Sequence, residues 1–135
     1  MNILFVCELN SVRSVMAEGI LSKRLGHKAN VESCGLTPEV PNNFMITIMK
    51  EVDVDMSGHE PRGFSDVEGV DFDRIIAFTE KAKDRAESVL GAENPEIELW
   101  NVPNPGEGSF DVRAMMNNYR AIRAHIEARI DREFA

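Results

Sequence analysis

Cysteine is scarce in this 135-residue chain, with only Cys7 and Cys34 present. Two are too few for a disulfide scaffold or a four-cysteine zinc site, and in a reducing compartment they stay thiols, reactive or merely buried. Long apolar runs are missing as well. Cysteine set aside, the longest are four residues, Ile3 to Val6 and Ile75 to Phe78, against the ~20 that a membrane-spanning helix needs. The first residues, Met-Asn-Ile-Leu-Phe-Val-Cys, lack the basic region, apolar stretch and cleavage site of a secretion signal. The expectation is a cytoplasmic protein without a membrane segment. Nine glycines and six prolines are an ordinary share, so collagen-like and disordered readings fail. Positive charge is the minority: 15 Lys and Arg against 23 Asp and Glu leave a net charge of −8, which repels a polyanionic backbone and argues against nucleic acid as a partner.

What is present is a regular alternation with no linker and no internal repeat, consistent with one domain over residues 1–135. Asn2 to Val6 reads as a buried strand and Ser14 to Leu25 as a helix with Met16, Ala17, Ile20, Leu21 and Leu25 on one face, stopped by Gly26. A strand near Asn30 to Cys34 precedes a helix near Asn42 to Val52. Phe72 to Phe78 is read as the third strand, Glu80 to Leu90 as a helix burying Ala82, Ala86, Val89 and Leu90, and Glu96 to Val102 as the fourth strand. A last helix begins near Ser109, with Val112, Met115, Met116, Tyr119, Ile122, Ile126 and Ile130 on one stripe. This βαβαβαβα order predicts an α/β fold: a four-stranded parallel, doubly wound sheet of order 2-1-3-4, with helices on both faces in three layers. Ligands of such sheets bind beyond the carboxyl ends of the strands, where the winding reverses. Residues 7–13, 79–81 and 101–108 should then border one crevice.

The first of these segments carries the sharpest signal. Cys7-Glu8-Leu9-Asn10-Ser11-Val12-Arg13-Ser14 runs straight from strand to helix, with cysteine and arginine six apart. A loop wrapped around a helix N-terminus aims backbone N–H groups at one point, and the helix dipole adds partial positive charge. Residues 8–13 would thus bind an oxyanion through their amides, and Arg13 could fork onto two of its oxygens. The same field favours thiolate at Cys7, making it a nucleophile. Asn10 and Ser14 are placed to brace the loop and hydrogen-bond the sulfur. The spacing alone is weak, and the plain alternative is an inert core cysteine with a surface arginine.

Val6-Cys7-x-x-Asn10-x-x-Arg13-Ser14-x-Met16-Ala17-Glu18 resembles the loop and first helix of the low-molecular-weight protein tyrosine phosphatases and the related thioredoxin-type arsenate reductases. Glu32-Ser33-Cys34-Gly35 resembles their Ser-Ala-Gly turn, and Met49 to His59 their second helix and its exit. The likeness reaches Trp100 to Pro105 and the final helix. It implies attack by Cys7 on phosphorus to give a cysteinyl-phosphate, oxygens held by Arg13 and the loop amides, hydrolysis by water, and no metal or other cofactor. The implied partner is a phosphorylated substrate or an inorganic oxyanion, phosphate or arsenate. No protein partner is implied.

The chain departs from that pattern in four places. The family's Asp-Pro pair, whose Asp acts as general acid, is Asn104-Pro105 here, and an amide cannot donate that proton. Glu107 or Asp111 could take the role, a solvated loop carboxylate and a first-turn helix residue being their plainer readings; otherwise the protein is a slow enzyme or a phosphate-binding pseudoenzyme. Gly106 stands where the relatives carry an aromatic wall. Leu9 replaces a glycine, and Glu8 sets a negative charge at the rim, which disfavours a dianion or selects a basic substrate. Thioredoxin-linked arsenate reduction needs two more cysteines after the third strand, where Ala77-Phe78-Thr79-Glu80 has none. Cys34 is then the candidate redox partner of Cys7, or a buried small residue. His59 matches a position near the loop in the relatives and otherwise reads as a hydrogen-bonded structural histidine; Arg113, Arg120, Arg123, Arg129 and Arg132 read as a solvated face. The resulting expectation is a cysteine-dependent phosphate-monoester hydrolase, with arsenate reductase-like thiol chemistry as the alternative.

Overall fold

A computed structural model of the chain describes residues 1–91, 96–103 and 111–134. Its elements alternate as expected: β1 (Asn2–Cys7), α1 (Arg13–Leu25), β2 (Asn30–Gly35), α2 (Asn43–Lys50), β3 (Arg74–Ala77), α3 (Glu80–Leu90), β4 (Ile97–Leu99) and α4 (Val112–Glu133), with short 3-10 turns at Gly26–Lys28 and Phe64–Asp66. The four strands form one parallel sheet of order β2-β1-β3-β4. β1 lies inside it and buries Ile3 through Cys7 without a break, the continuous burial that a parallel strand covered on both faces requires.

Alternate residues of the strands feed two cores. Ile3, Phe5, Cys7 and Ile76 pack under α1, α2 and α4, with Phe78 and Trp100. Leu4, Val6, Cys34, Ile75, Ala77 and Ile97 face α3 and the chain around Val67 and Phe72. Among the described residues the result is three layers, with α1, α2 and α4 on one face and α3 on the other. Among the described residues no helix is long and apolar enough to cross a membrane.

Several boundaries differ from the sequence reading. β3 and β4 are shorter, because Phe72 is buried before β3 begins and Phe78, Trp100 and Val102 are buried as the chain leaves the sheet, none of them within strands. α2 starts at Asn43 and ends at Lys50, with Asn42 outside as its cap. α4 begins at Val112 with Asp111 as its N-cap, not near Ser109, which lies outside the described residues. Two expected core residues are exposed, Val112 at 61% and Val89 at 37%: the first opens its helix before it meets the core, the second sits at the edge of the α3 stripe. The arginine face of α4 is not wholly solvated either. Arg120 and Arg123 clamp Glu51 at the end of α2, and Arg129 lies over the Trp100 ring. Gly26 ends α1 at φ 55°, a left-handed backbone that glycine adopts without strain.

One difference among the helices bears on function. α2, α3 and α4 are each capped by a side-chain oxygen, from Asn42, Thr79 and Asp111 respectively. Among the described α-helices, α1 alone has no side-chain cap, at Val12, so its leading N–H groups keep their capacity for an external acceptor.

Candidate active site

The loop between β1 and α1 is shaped from outside. The carbonyl of Cys7 accepts from Leu36 N (3.3 Å), that of Glu8 from Thr37 N (2.8 Å), that of Leu9 from Glu39 N (2.8 Å) and that of Ser11 from Asn42 N (3.1 Å). The segment 36–42 after β2 therefore splints the loop along its back. A peptide whose C=O is held outward turns its N–H the other way, so the splint leaves the amides of this turn directed to its inside. Close approach is possible because residue 35 is glycine. A Cβ there would stand 2.7 Å from Asn10 N and 2.8 Å from the Leu9 carbonyl carbon, distances no side chain tolerates. Gly35 N in turn donates to Arg62 O at 2.9 Å.

Inside the turn, Cys7 is 2% exposed. Its Sγ receives Asn10 N–H at 3.3 Å and lies 2.8 Å from Ser14 Oγ. Asn10 sits in the left-handed region at φ 53°, which asparagine tolerates better than most residues, and every polar atom of its buried side chain is used. Nδ2 donates to Ser14 Oγ (3.0 Å) and Ser33 Oγ (2.8 Å); Oδ1 accepts from Arg62 N (2.9 Å) and lies 3.0 Å from His59 Nε2. These bonds fix the rest. Ser14 Oγ already accepts from Asn10, so its hydrogen is free for the sulfur. Ser33 does the same one step on, accepting from Asn10 and donating to Glu18 Oε1 at 3.0 Å. His59, its side chain 2% exposed, donates from Nε2 and turns Nδ1 to Glu18 Oε2 at 3.4 Å, while Arg62 Nη1 reaches Glu18 Oε1 at 3.3 Å. A hydrogen-bonded structural histidine is thus what His59 is, but within the network that sets the loop.

Arg13 opens α1, is 8% exposed, and donates from Nη1 to Val102 O at 3.1 Å. That bond ties the chain beyond β4 to the loop, as the topology predicts. The region of Thr79 to Lys81 is different: Thr79 is occupied in capping α3 through Ala82 N.

Cys34 occupies the other face of the sheet. It pairs in register with Val6, not Cys7, and packs with Leu4, Val6 and Ala77. Burial pushes its thiol far up from the ordinary cysteine value, and the neighbouring Cys7 and Glu32 charges add to the shift. Both cysteines are free. This is the environment of a packing residue, and it turns the candidate redox partner away from the loop.

Asn104 and Glu107 lie outside the described residues. Asp111 is described, and its carboxylate caps α4 by accepting from Arg113 N at 2.9 Å. Glu8 is partly buried and Leu9 exposed at the mouth, whereas Asn10 and Ser11 are buried and Val12 partly so. No group of three or more His, Cys, Asp or Glu suited to a metal ion occurs among the described residues.

Of the residues singled out in the sequence, the structure brings Cys7, Asn10 and Ser14 into contact, while the Arg13 guanidinium is bonded to Val102 O. Sequence reasoning missed the splint at 36–42 and gave no role to Glu18, Ser33 or Gly35. The signal for the last two was the resemblance of residues 32–35 to the family turn. The splint acts through backbone groups and has no residue-type signature.

Comparison with known proteins agrees with this geometry. A glutaredoxin arsenate reductase of Synechocystis sp. is 28% identical over 129 residues, 96% of this chain and 92% of its own. A solved arsenate reductase in a phosphate-binding state superposes with a TM-score of 0.76 at 24% identity, covering 97% of this chain and 94% of that one. An arginine phosphatase from Geobacillus stearothermophilus gives 0.76 at 21% identity, covering 97% and 88%. The family described as low molecular weight phosphotyrosine protein phosphatase matches residues 2–134. With nearly the whole chain matched and the loop built as above, this protein belongs to the low molecular weight phosphotyrosine protein phosphatase family.

Proposed function

We propose that the protein hydrolyses phosphate monoesters through a cysteinyl-phosphate on Cys7. The observation that carries this is the α1 N-terminus, uncapped where α2, α3 and α4 are capped, wrapped by a turn whose carbonyls are bonded outward and whose centre is a sulfur. A tetrahedral dianion completes that helix as the cap it lacks.

The thiolate of Cys7 attacks phosphorus, the S–P bond forms, and the bond to the leaving oxygen breaks. The loop amides and the Arg13 guanidinium hold the three equatorial oxygens, where charge is carried through the transition state. Water then attacks phosphorus, the S–P bond breaks, and phosphate departs as the thiolate returns. Ser14 Oγ–H and Asn10 N–H stabilise that sulfur as nucleophile and as leaving group. Splitting one displacement into two lets one preorganised cradle serve both.

The leaving oxygen needs a proton, and Asn104 supplies none. Asp111 is engaged as the cap of its own helix, which leaves Glu107 as the other sequence candidate for the acid; with neither in that role the step runs without a proton donor. Loss of that role costs ~10²–10⁴ in rate, and the best substrates are those with stable leaving anions. Cys7 works in a reducing, cytoplasmic setting that keeps it a thiol.

Arsenate reduction is the second reading, favoured by the arsenate reductase relatives. The same loop accepts arsenate. With no cysteine pair after β3 and Cys34 on the other face, an external thiol such as glutathione would have to resolve the Cys7 adduct.

Two assays separate these readings. Release of phosphate from an aryl phosphate that disappears in Cys7→Ser supports the first, and arsenate-dependent oxidation of glutathione that needs Cys7 supports the second. Phosphate binding with neither turnover leaves a binding protein.

A further inference from the structure

We infer that Glu8 makes the site selective for phosphorylated groups with a cation beside the phosphate, a phosphopeptide flanked by Lys or Arg. This rests on the proposed phosphate chemistry of the Cys7 loop.

The charge at this site is layered. Its positive part lies deep: Arg13 is buried and tied to Val102 O, and the amides of the turn face inward. Where the described residues 8–12 and 36–42 form it, its rim is negative. The two segments that form the turn and its splint, residues 8–12 and 36–42, contain the carboxylates Glu8 and Glu39 and no Lys or Arg. Glu8 is partly buried, Glu39 exposed, and neither carboxylate has a hydrogen-bond or ion-pair partner among the described residues. Arg62, whose N–H holds Asn10 Oδ1, has its guanidinium engaged with Glu18. Because Glu8 follows Cys7 directly in the chain, its carboxylate stays within roughly one Debye length (~10 Å at 0.1 M salt) of the sulfur in any rotamer, so salt does not erase its charge there.

A bare dianion passing this rim meets like charge. A ligand with its phosphate in the cradle and a cation outside meets opposite charge at both levels. The exposed apolar side chains at the mouth, Leu9 at 38% and Val40 at 77%, offer surface for the aliphatic stem of a Lys or Arg whose charge lies at a carboxylate. The Glu39 N to Leu9 O bond holds these two strips side by side. The net charge of −8 acts in the same direction at longer range, drawing in basic chains.

The test uses the full chain with Cys7→Ser, so that turnover is not needed, and measures affinity for two phosphopeptides of equal length, one flanked by Lys and Arg, one by Asp and Glu, with inorganic phosphate and the unphosphorylated peptides as controls. The basic-flanked phosphopeptide should bind tighter by about threefold to fivefold per flanking cation, the size of a partly exposed charge pair. Glu8→Gln should reduce that preference and tighten inorganic phosphate, Glu8→Lys should abolish or invert it, and higher salt should shrink it. Equal affinities, a preference that survives Glu8→Lys, or equal binding of the unphosphorylated basic peptide would each overturn the inference. Phosphate bound without flank preference sinks this inference alone, whereas no phosphate bound and no protection of wild-type Cys7 from alkylation by phosphate would sink the hydrolase reading as well.

Discussion

Ser14 Oγ sits 2.8 Å from Cys7 Sγ while accepting a hydrogen bond from Asn10 Nδ2, so its one hydrogen is available to a thiolate at sulfur. A hydrogen bond to a charged group is worth about 1.5–3 kcal/mol, and this one is needed most when the thiolate leaves phosphorus. Ser14→Ala should slow aryl-phosphate turnover about tenfold to a hundredfold, with breakdown of the cysteinyl-phosphate slowed more than its formation. Rapid-quench measurement of a phosphate-free phenol burst checks this; equal slowing of both steps would assign Ser14 to loop structure only.

Gly35 should resist replacement. An added Cβ meets backbone at 2.7 and 2.8 Å, and backbone cannot swing aside as a flexible side chain can. Gly35→Ala therefore pushes β2 and the loop apart, at about 1–3 kcal/mol for an overpacked site. The loss should fall on phosphate affinity and turnover, with helical circular dichroism retained. Calorimetric titration with phosphate is the measurement.

Glu51 gives an acid-sensitive clamp between α2 and α4. Arg120 and Arg123 hydrogen-bond its carboxylate and hold it down to about 2, from an ordinary 4.5. The folded value is the lower one, so the clamp contributes fully above the ordinary value and is lost as pH falls toward 2. Urea midpoints should drop for the parent between about pH 5 and pH 2, and Glu51→Gln should show a shallower fall with a lower plateau at neutral pH. The residue is exposed, so the effect is modest and shrinks in salt.

Cys34 should be silent. With its thiol buried on the other face and pushed up by burial, it should escape alkylation at neutral pH in the folded protein and react only after denaturation. Peroxide should give no Cys7–Cys34 bridge in tryptic maps, and Cys34→Ala should keep the activity of the parent. A bridge formed in the native protein would restore the redox role that the sequence suggested.

Much of this was readable before any coordinates. Topology followed from the alternation of apolar runs with three- and four-residue periods, because each such run has one face or two to bury. Cys7, Asn10, Arg13 and Ser14 could be singled out because the chemistry proposed for them depends on residue type at fixed spacing. Strand ends were not: Phe78 and Val102 are buried and accept the sheet's direction, with Phe78 N bonded to Val6 O and Val102 N to Phe78 O, yet the regular ladder has already stopped. Apolar content marks burial, not pairing. The outer half of the site was hidden for another reason. Ser33, His59 and Arg62 come from a strand and a loop and meet at Asn10, with Glu18 of a helix behind them, and that meeting is a product of the fold. The splint at 36–42 works through main-chain groups that any sequence owns.

The most direct measurement is alkylation of Cys7 at neutral pH in the native protein, with and without phosphate or vanadate, followed by mass mapping of both cysteines. The account predicts that Cys7 is modified, Cys34 is not, and either anion protects Cys7 in a saturable way. A Cys7 that does not react, or one that reacts at the same rate whatever anion is present, would contradict it.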